Sequence, residues 1–162
     1  MATPRMISKE ELRFIGISVR TSNQREASNE ALIPGLWQQF YEEQVMNRIP
    51  NSLNPGVTYG VYTDYENGAS GMYSILLGCQ ASSTDPVPEG MTACTIPASK
   101  YAVFTTERGD ISKVVPRLWQ EIWEWDRTHS LRSFTGDFEY YDARCQDPAN
   151  AQVDIYIALK NS

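Results

Sequence analysis

Hydrophobic and polar positions along the chain follow two rhythms. In "IPGLWQQFYEE", starting at Ile33, and "VPRLWQEIWEW", starting at Val115, large apolar residues fall at i, i+1, i+4 and i+5, which a 3.6-residue period gathers on one face. Both segments read as amphipathic helices, and they match each other without a gap. Pro34 aligns with Pro116, Leu36 with Leu118, Trp37 with Trp119, Gln38 with Gln120, Phe40 with Ile122 and Tyr41 with Trp123. Each Pro lies near the start of its segment, where a missing N–H is harmless. Ser28 or Asn29, and Asp110 or Ser112, are the expected caps.

The second rhythm is the β-like one. "FIGISVRTS" precedes the first helix and "YAVFTTERG" the second; "VTYGVYTDY" with "GMYSILLG" follows the first, and "DFEYYDA" with "VDIYIALK" the second. Turn-rich pieces separate these runs, among them "NSLNPG", "ENGASG", "STDPVPEG" and "QDPANA". The order is β-α-β-β twice, with repeat one over about 10–80, a linker over about 81–90 and repeat two over about 91–160. One such unit buries too little area to be stable alone, whereas two packed about a pseudo-twofold axis share a core. The expected fold is therefore α+β: a single domain over 1–162, with an antiparallel sheet and two helices flanking a ligand cleft.

Composition adds the aromatic excess. Four Trp, nine Tyr and five Phe are many for 162 residues, and such rings supply flat contact area for ligands as well as core volume. The net charge is −6, and Lys and Arg are scattered singly, so direct nucleic-acid binding is not expected and cationic partners are favoured. Cys79, Cys94 and Cys145 lie far apart, with no C-x-x-C pair, which indicates neither a disulfide framework nor a zinc site. "MATPRMISKEEL" lacks the apolar core of a secretory signal, and the longest apolar run, near "SILLGC", is too short to span a bilayer. A cytoplasmic protein without metal or cofactor is expected.

Several of these segments carry a resemblance. "IPGLWQQF", "YGVY" at Tyr59, "PEGMTACTIPASKYAVF" at the junction, the second Trp helix, "FEYY" and "VDIYIAL" resemble, in this order, the DNA gyrase inhibitor-like effector-binding domains. Such domains also stand behind DNA-binding segments in AraC-type and MerR-type multidrug regulators. The likeness covers nearly the whole chain, without the helix-turn-helix of those regulators, and is similar to a free-standing member encoded on an integron cassette. Two departures stand out: Ile157 and Ala158 occur where the family usually has Pro, and Asp154 replaces the usual Glu. In the family, the acid of "FE-x-Y" and an acid and a Tyr on the last strand are associated with hydrophobic cations. The resemblance carries that role to Glu139, Tyr141, Asp154 and Tyr156.

Strand alternation sharpens the picture. Glu139 and Tyr141 share one face, Phe138 and Tyr140 the other, and the echo places Gly60 opposite Glu139 and Tyr62 as the mirror of Tyr141. Asp154 and Tyr156 share a face of the last strand. Both acids and three tyrosines are expected to converge on one cleft, capped by Trp37, Tyr41, Trp119 and Trp123. A carboxylate surrounded by apolar walls loses several kcal/mol of solvation and either takes up a proton or awaits a positive partner. A lipophilic, aromatic cation supplies that partner. His129, the only histidine, is expected to cap or solvate the end of the second helix.

No nucleophile–base pair, phosphate loop or metal motif marks an enzyme, although Glu139 beside a Tyr leaves weak hydrolysis of reactive small molecules open. A protein partner, either gyrase or a separate DNA-binding chain, also stays open.

Overall fold

In a computed structural model, which describes residues 3–161, the alternating segments pair into one antiparallel sheet of eight strands. The strands are β1 (Arg5–Lys9), β2 (Leu12–Ser22), β3 (Thr58–Thr63), β4 (Met72–Gln80), β5 (Thr92–Ile96), β6 (Ser99–Thr105), β7 (Asp137–Tyr141) and β8 (Asp154–Ala158). Four helices accompany them: α1 (Asn23–Glu26), α2 (Ile33–Glu42), α3 (Val45–Arg48) and α4 (Ile111–His129). Single 3₁₀ turns occupy Ala143–Cys145 and Pro148–Asn150.

Strand order is β1-β6-β8-β7-β3-β4-β2-β5, so β2-α2-β3-β4 and β6-α4-β7-β8 meet as pseudo-twofold halves at the β3–β7 pair. Gly60 lies directly opposite Glu139 in that central pair.

The two edge strands, β1 and β5, are exchanged. β1 leads into β2 after two residues yet pairs with β6, and β5 leads into β6 after two residues yet pairs with β2. Such short links hold the opposite edges of the sheet near each other, so the sheet curls round the face that carries no helix. Its interior is a core of Phe14, Tyr59, Val61, Tyr101, Phe138 and their neighbours. β2 and β4 leave no room for a side chain where Gly16 pairs with Gly78. A Cβ on Gly16 would lie 2.0 Å from the Leu77 carbonyl oxygen, and one on Gly78 would lie 1.9 Å from that of Ile15.

The outer face carries the helices. Leu36 and Phe40 of α2 pack on Ile15, Ile17, Ile75 and Leu77, while Leu118, Ile122 and Trp125 of α4 pack on Phe104, Ile155 and Ile157. Burying such side chains contributes roughly 1.5–3 kcal/mol each.

Each helix start meets the sequence expectation in part: Asp110 caps α4 and Pro34 stands in the first turn of α2, but Pro116 and the cap of α2 differ. α4 begins at Ile111, with the Asp110 carboxylate accepting from the Ser112 N–H at 3.0 Å, so Pro116 stands inside the helix, where its ring denies the Ser112 carbonyl an N–H. α2 has no side-chain cap of its own. Instead Glu26 of α1 accepts from the Leu32 N–H at 2.8 Å and the Ile33 N–H at 3.0 Å, and Thr21 holds it by donating at 2.6 Å. Ser28, an expected cap, donates its hydroxyl to the Arg25 carbonyl. At the end of α4, His129 Nδ1 lies 2.9 Å from the Trp125 carbonyl oxygen and its ring stacks on Trp125.

Candidate ligand-binding cleft

Between α2 and α4, over the floor formed by β3 and β7, lies a cleft with a volume of about 490 Å³. That is within the ordinary range for small-molecule sites. Trp37, Tyr62, Trp119, Trp123, Glu139 and Tyr141 line it, as the alternation and the helical echo predicted.

The aromatic walls interlock across the pseudo-axis. Trp37, from the first half, packs edge-on against Tyr141 of the second, with ring centroids 5.2 Å apart. Trp119, from the second half, meets Tyr62 of the first in the same manner at 5.3 Å. Trp123 lies beside Trp119, 6.3 Å between centroids, and is partly open to solvent.

Glu139 is where the symmetry breaks. Its side of the pair carries a carboxylate, only 3% exposed, and the other side carries Gly60. Three neutral donors hold the carboxylate: Tyr62 Oη at 3.0 Å and Trp119 Nε1 at 2.7 Å reach Oε2, and Tyr141 Oη at 2.7 Å reaches Oε1. Among the described residues no Lys or Arg pairs with it. Burial pushes the Glu139 carboxyl above its ordinary value, and the bonds from Trp119, Tyr141 and Tyr62 draw it partway back. Burial, with Glu139 next to them, also drives the Tyr62 and Tyr141 phenols upward, so both remain donors.

Two substitutions probe this arrangement. A Cβ on Gly60 would lie 2.9 Å from Glu139 Oε1, so Gly60→Ala displaces the carboxylate oxygen that Tyr141 holds. The expected cost is about 1–3 kcal/mol of stability by thermal unfolding, with weakened retention of any ligand that needs the charge. Trp119→Phe keeps a ring but removes the Nε1–H bond to the carboxylate, so the Glu139 pKa rises further. Retention of any ligand that needs the ionised acid is lost as pH falls through that pKa. Its midpoint in a fluorescence titration therefore moves to higher pH in the variant.

Three expected site residues lie elsewhere. Asp154 and Tyr156 are on the curled face of the sheet, not on the face that lines the cleft, because β8 pairs with β7 so that Phe138 opposes Tyr156, Glu139 opposes Ile155 and Tyr140 opposes Asp154. Tyr156 stacks on Phe138 at 4.4 Å inside that core. Asp154 is already matched: Thr105 donates to it at 2.7 Å and Arg144 Nη2 at 2.9 Å. Tyr41 stacks on Trp37 at 5.9 Å but is 68% exposed and outside the lining.

The cleft also contains residues the sequence reading did not single out. Tyr65 and Tyr73 add to the aromatic wall, and Glu26 of α1 and Arg132 are also part of the lining. Arg132 is bound to Asp137, Nη2 to Oδ2 at 2.7 Å, and Tyr65 donates to the same oxygen at 2.6 Å. Its charge is thereby compensated within the cleft wall. Among the described residues no group of three or more Asp, Glu, His or Cys is placed to hold a metal ion, and no helix is long and apolar enough to cross a membrane.

The sequence and the fold both recur in known proteins. Residues 5–159 match the family described as Cass2, integron-associated effector binding protein. The chain belongs to this Cass2 family. YobU of Bacillus subtilis (strain 168), a candidate transcriptional regulator, is 40% identical over 148 residues, which cover 91% of this chain and 92% of that protein. The integron cassette protein VCH_CASS2 of Vibrio cholerae superposes with a TM-score of 0.76 at 28% identity, covering 98% of this chain and 97% of the other. SAV2435 in its complex with tetraphenylphosphonium has the same fold, with a TM-score of 0.80 at 20% identity over 98% of this chain and 94% of the other. The Cass2 chain described here is thus an effector-binding protein of the gyrase inhibitor-like fold, related to the sensor domains of transcription regulators.

Proposed function

We propose that this Cass2 protein binds lipophilic aromatic cations between α2 and α4, with Glu139 as the counter-charge and Trp37, Tyr62, Trp119, Trp123 and Tyr141 as the walls. The observation that carries the reading is a carboxylate 3% exposed whose only partners among the described residues are neutral donors. Such a group is stabilised by a cation that enters without its own hydration shell.

The energies suffice. Each ring face adds roughly 0.5–2 kcal/mol to a cation by cation–π attraction, and micromolar affinity requires only about 8 kcal/mol in total. Little of this depends on a matched hydrogen-bond pattern, so broad specificity is expected. The tetraphenylphosphonium held by SAV2435, a protein of the same fold, is a ligand of this class.

Titration with a panel of quaternary ammonium, phosphonium and dye cations tests the reading. Trp37, Trp119 and Trp123 all line the cleft, so their fluorescence reports occupancy directly. Saturable quenching by cations, with weak or no response to neutral analogues of like size, supports it. An equal response to both sinks it. Recovery of unaltered ligand by mass spectrometry after long incubation separates binding from turnover.

A further inference from the structure

Arg132 holds more hydrogen-bonding capacity than its neighbours use. The residue is 3% exposed, and its Nη2 serves Asp137 and approaches the Tyr65 hydroxyl at 3.5 Å. Nε and Nη1 have no hydrogen-bond partner among the described residues. The guanidinium carbon lies 4.2 Å from the Phe134 ring centroid and 5.8 Å from that of Tyr65, so rings pack beside it. Both nitrogens are closed to solvent, so their unpaired N–H groups carry a desolvation penalty that an oxygen admitted by a small shift of the wall would relieve. Arg132 is also one of the residues that line the cleft containing Glu139.

The two groups are set apart by the strand. Asp137, which anchors Arg132, and Glu139 stand two residues apart on the same face of β7, a rise of roughly 7 Å. The cleft wall therefore carries, among the described residues, two unlike groups: an acid without a cation and, against the residue two positions before it on β7, a charge-compensated guanidinium whose Nε and Nη1 lack an acceptor.

We propose that Arg132 forms an acceptor subsite, and that the ligands held best are lipophilic cations carrying a carbonyl, ester or similar oxygen on a rigid arm away from the charge. This rests on the cation reading of Glu139 and narrows it to a ligand class. Asp137 compensates the Arg132 charge, so the subsite takes a neutral oxygen without opposing the cation.

Three phosphonium probes test the proposal: benzyltriphenylphosphonium, its para-methoxycarbonyl derivative and its para-isopropyl derivative. The last two match in bulk and differ in the oxygen. The ester is expected to bind the native protein about tenfold more tightly than the isopropyl compound, the return from one hydrogen bond to a charged donor. This advantage, read as the ratio of the two affinities within each protein, disappears in the double variant Arg132→Met, Asp137→Asn, which removes the pair as a unit. If that variant does not fold, the native protein still decides, because moving the ester from the para to the ortho position must remove the advantage.

Equal affinities for ester and isopropyl compounds, or an ester advantage that survives in the double variant or in the ortho isomer, overturn the proposal. Its failure is distinct from that of the underlying reading. If benzyltriphenylphosphonium weakens in Glu139→Gln while the ester adds nothing, only the acceptor subsite falls. If Glu139→Gln leaves every probe unchanged, both fall.

Discussion

Arg132→Met lowers the unfolding free energy by about 3–5 kcal/mol, the usual loss when one member of a buried ion pair is removed. The side chains of Arg132 and Asp137 are 2% and 0% exposed, and their 2.7 Å contact closes the segment between α4 and β7. Without the guanidinium, Asp137 keeps the Tyr65 hydroxyl and the Ala158 N–H at 2.8 Å, but its charge is left uncompensated away from water. Adding Asp137→Asn removes that charge while leaving an oxygen for the Ala158 N–H. Most of the lost stability then returns. Urea unfolding of the two variants, with unchanged denaturant dependence, reads both numbers.

Glu139→Gln produces the second large effect, on binding. Affinity for lipophilic cations falls by about 2–5 kcal/mol, the range for truncating one partner of a buried charge pair, and neutral aromatics change much less. The empty protein responds in the opposite direction. Glu139 has a pKa raised by burial, so its folded state holds the proton more tightly than the unfolded chain does. The stabilisation belonging to the protonated acid is complete below the ordinary carboxylate pKa and is lost as pH rises through the raised one. Gln has no charge to bury. The variant is accordingly more stable than the parent at neutral pH, and the difference vanishes on acidification, as thermal unfolding across pH measures.

Much of this site is legible in the sequence because its two halves are copies. Aligning Trp37 with Trp119 and Tyr62 with Tyr141 already locates four walls, and the pairing of Gly60 with Glu139 follows from the same alignment. The position of Asp154 and Tyr156 is not legible in that way. β8 is buried on both faces, so its alternation separates two sets of residues without saying which set faces the helices. Only the register against β7 decides, and it places Ile155 beside Glu139.

Charge partners separated along the chain are hidden for a related reason. Arg144 reaches Asp154 from a 3₁₀ turn, and Glu26 caps α2 from a four-residue helix upstream; neither contact follows from a period. The edge strands β1 and β5 are likewise short, and each finds its partner in the other half of the molecule. Local pattern has no access to that exchange. The curl that it produces encloses Tyr156 on the helix-free face, where the register against β7 has put it.

Tetraphenylphosphonium and tetraphenylborate have nearly the same shape and apolar area and opposite charge, so comparing their affinities for the native protein isolates the electrostatic share of binding. With an ionised Glu139 held short of water among rings, the phosphonium binds at least about a hundredfold more tightly at neutral pH. Affinities for the two ions within a factor of about three would contradict the account, since area burial alone would then explain the cleft.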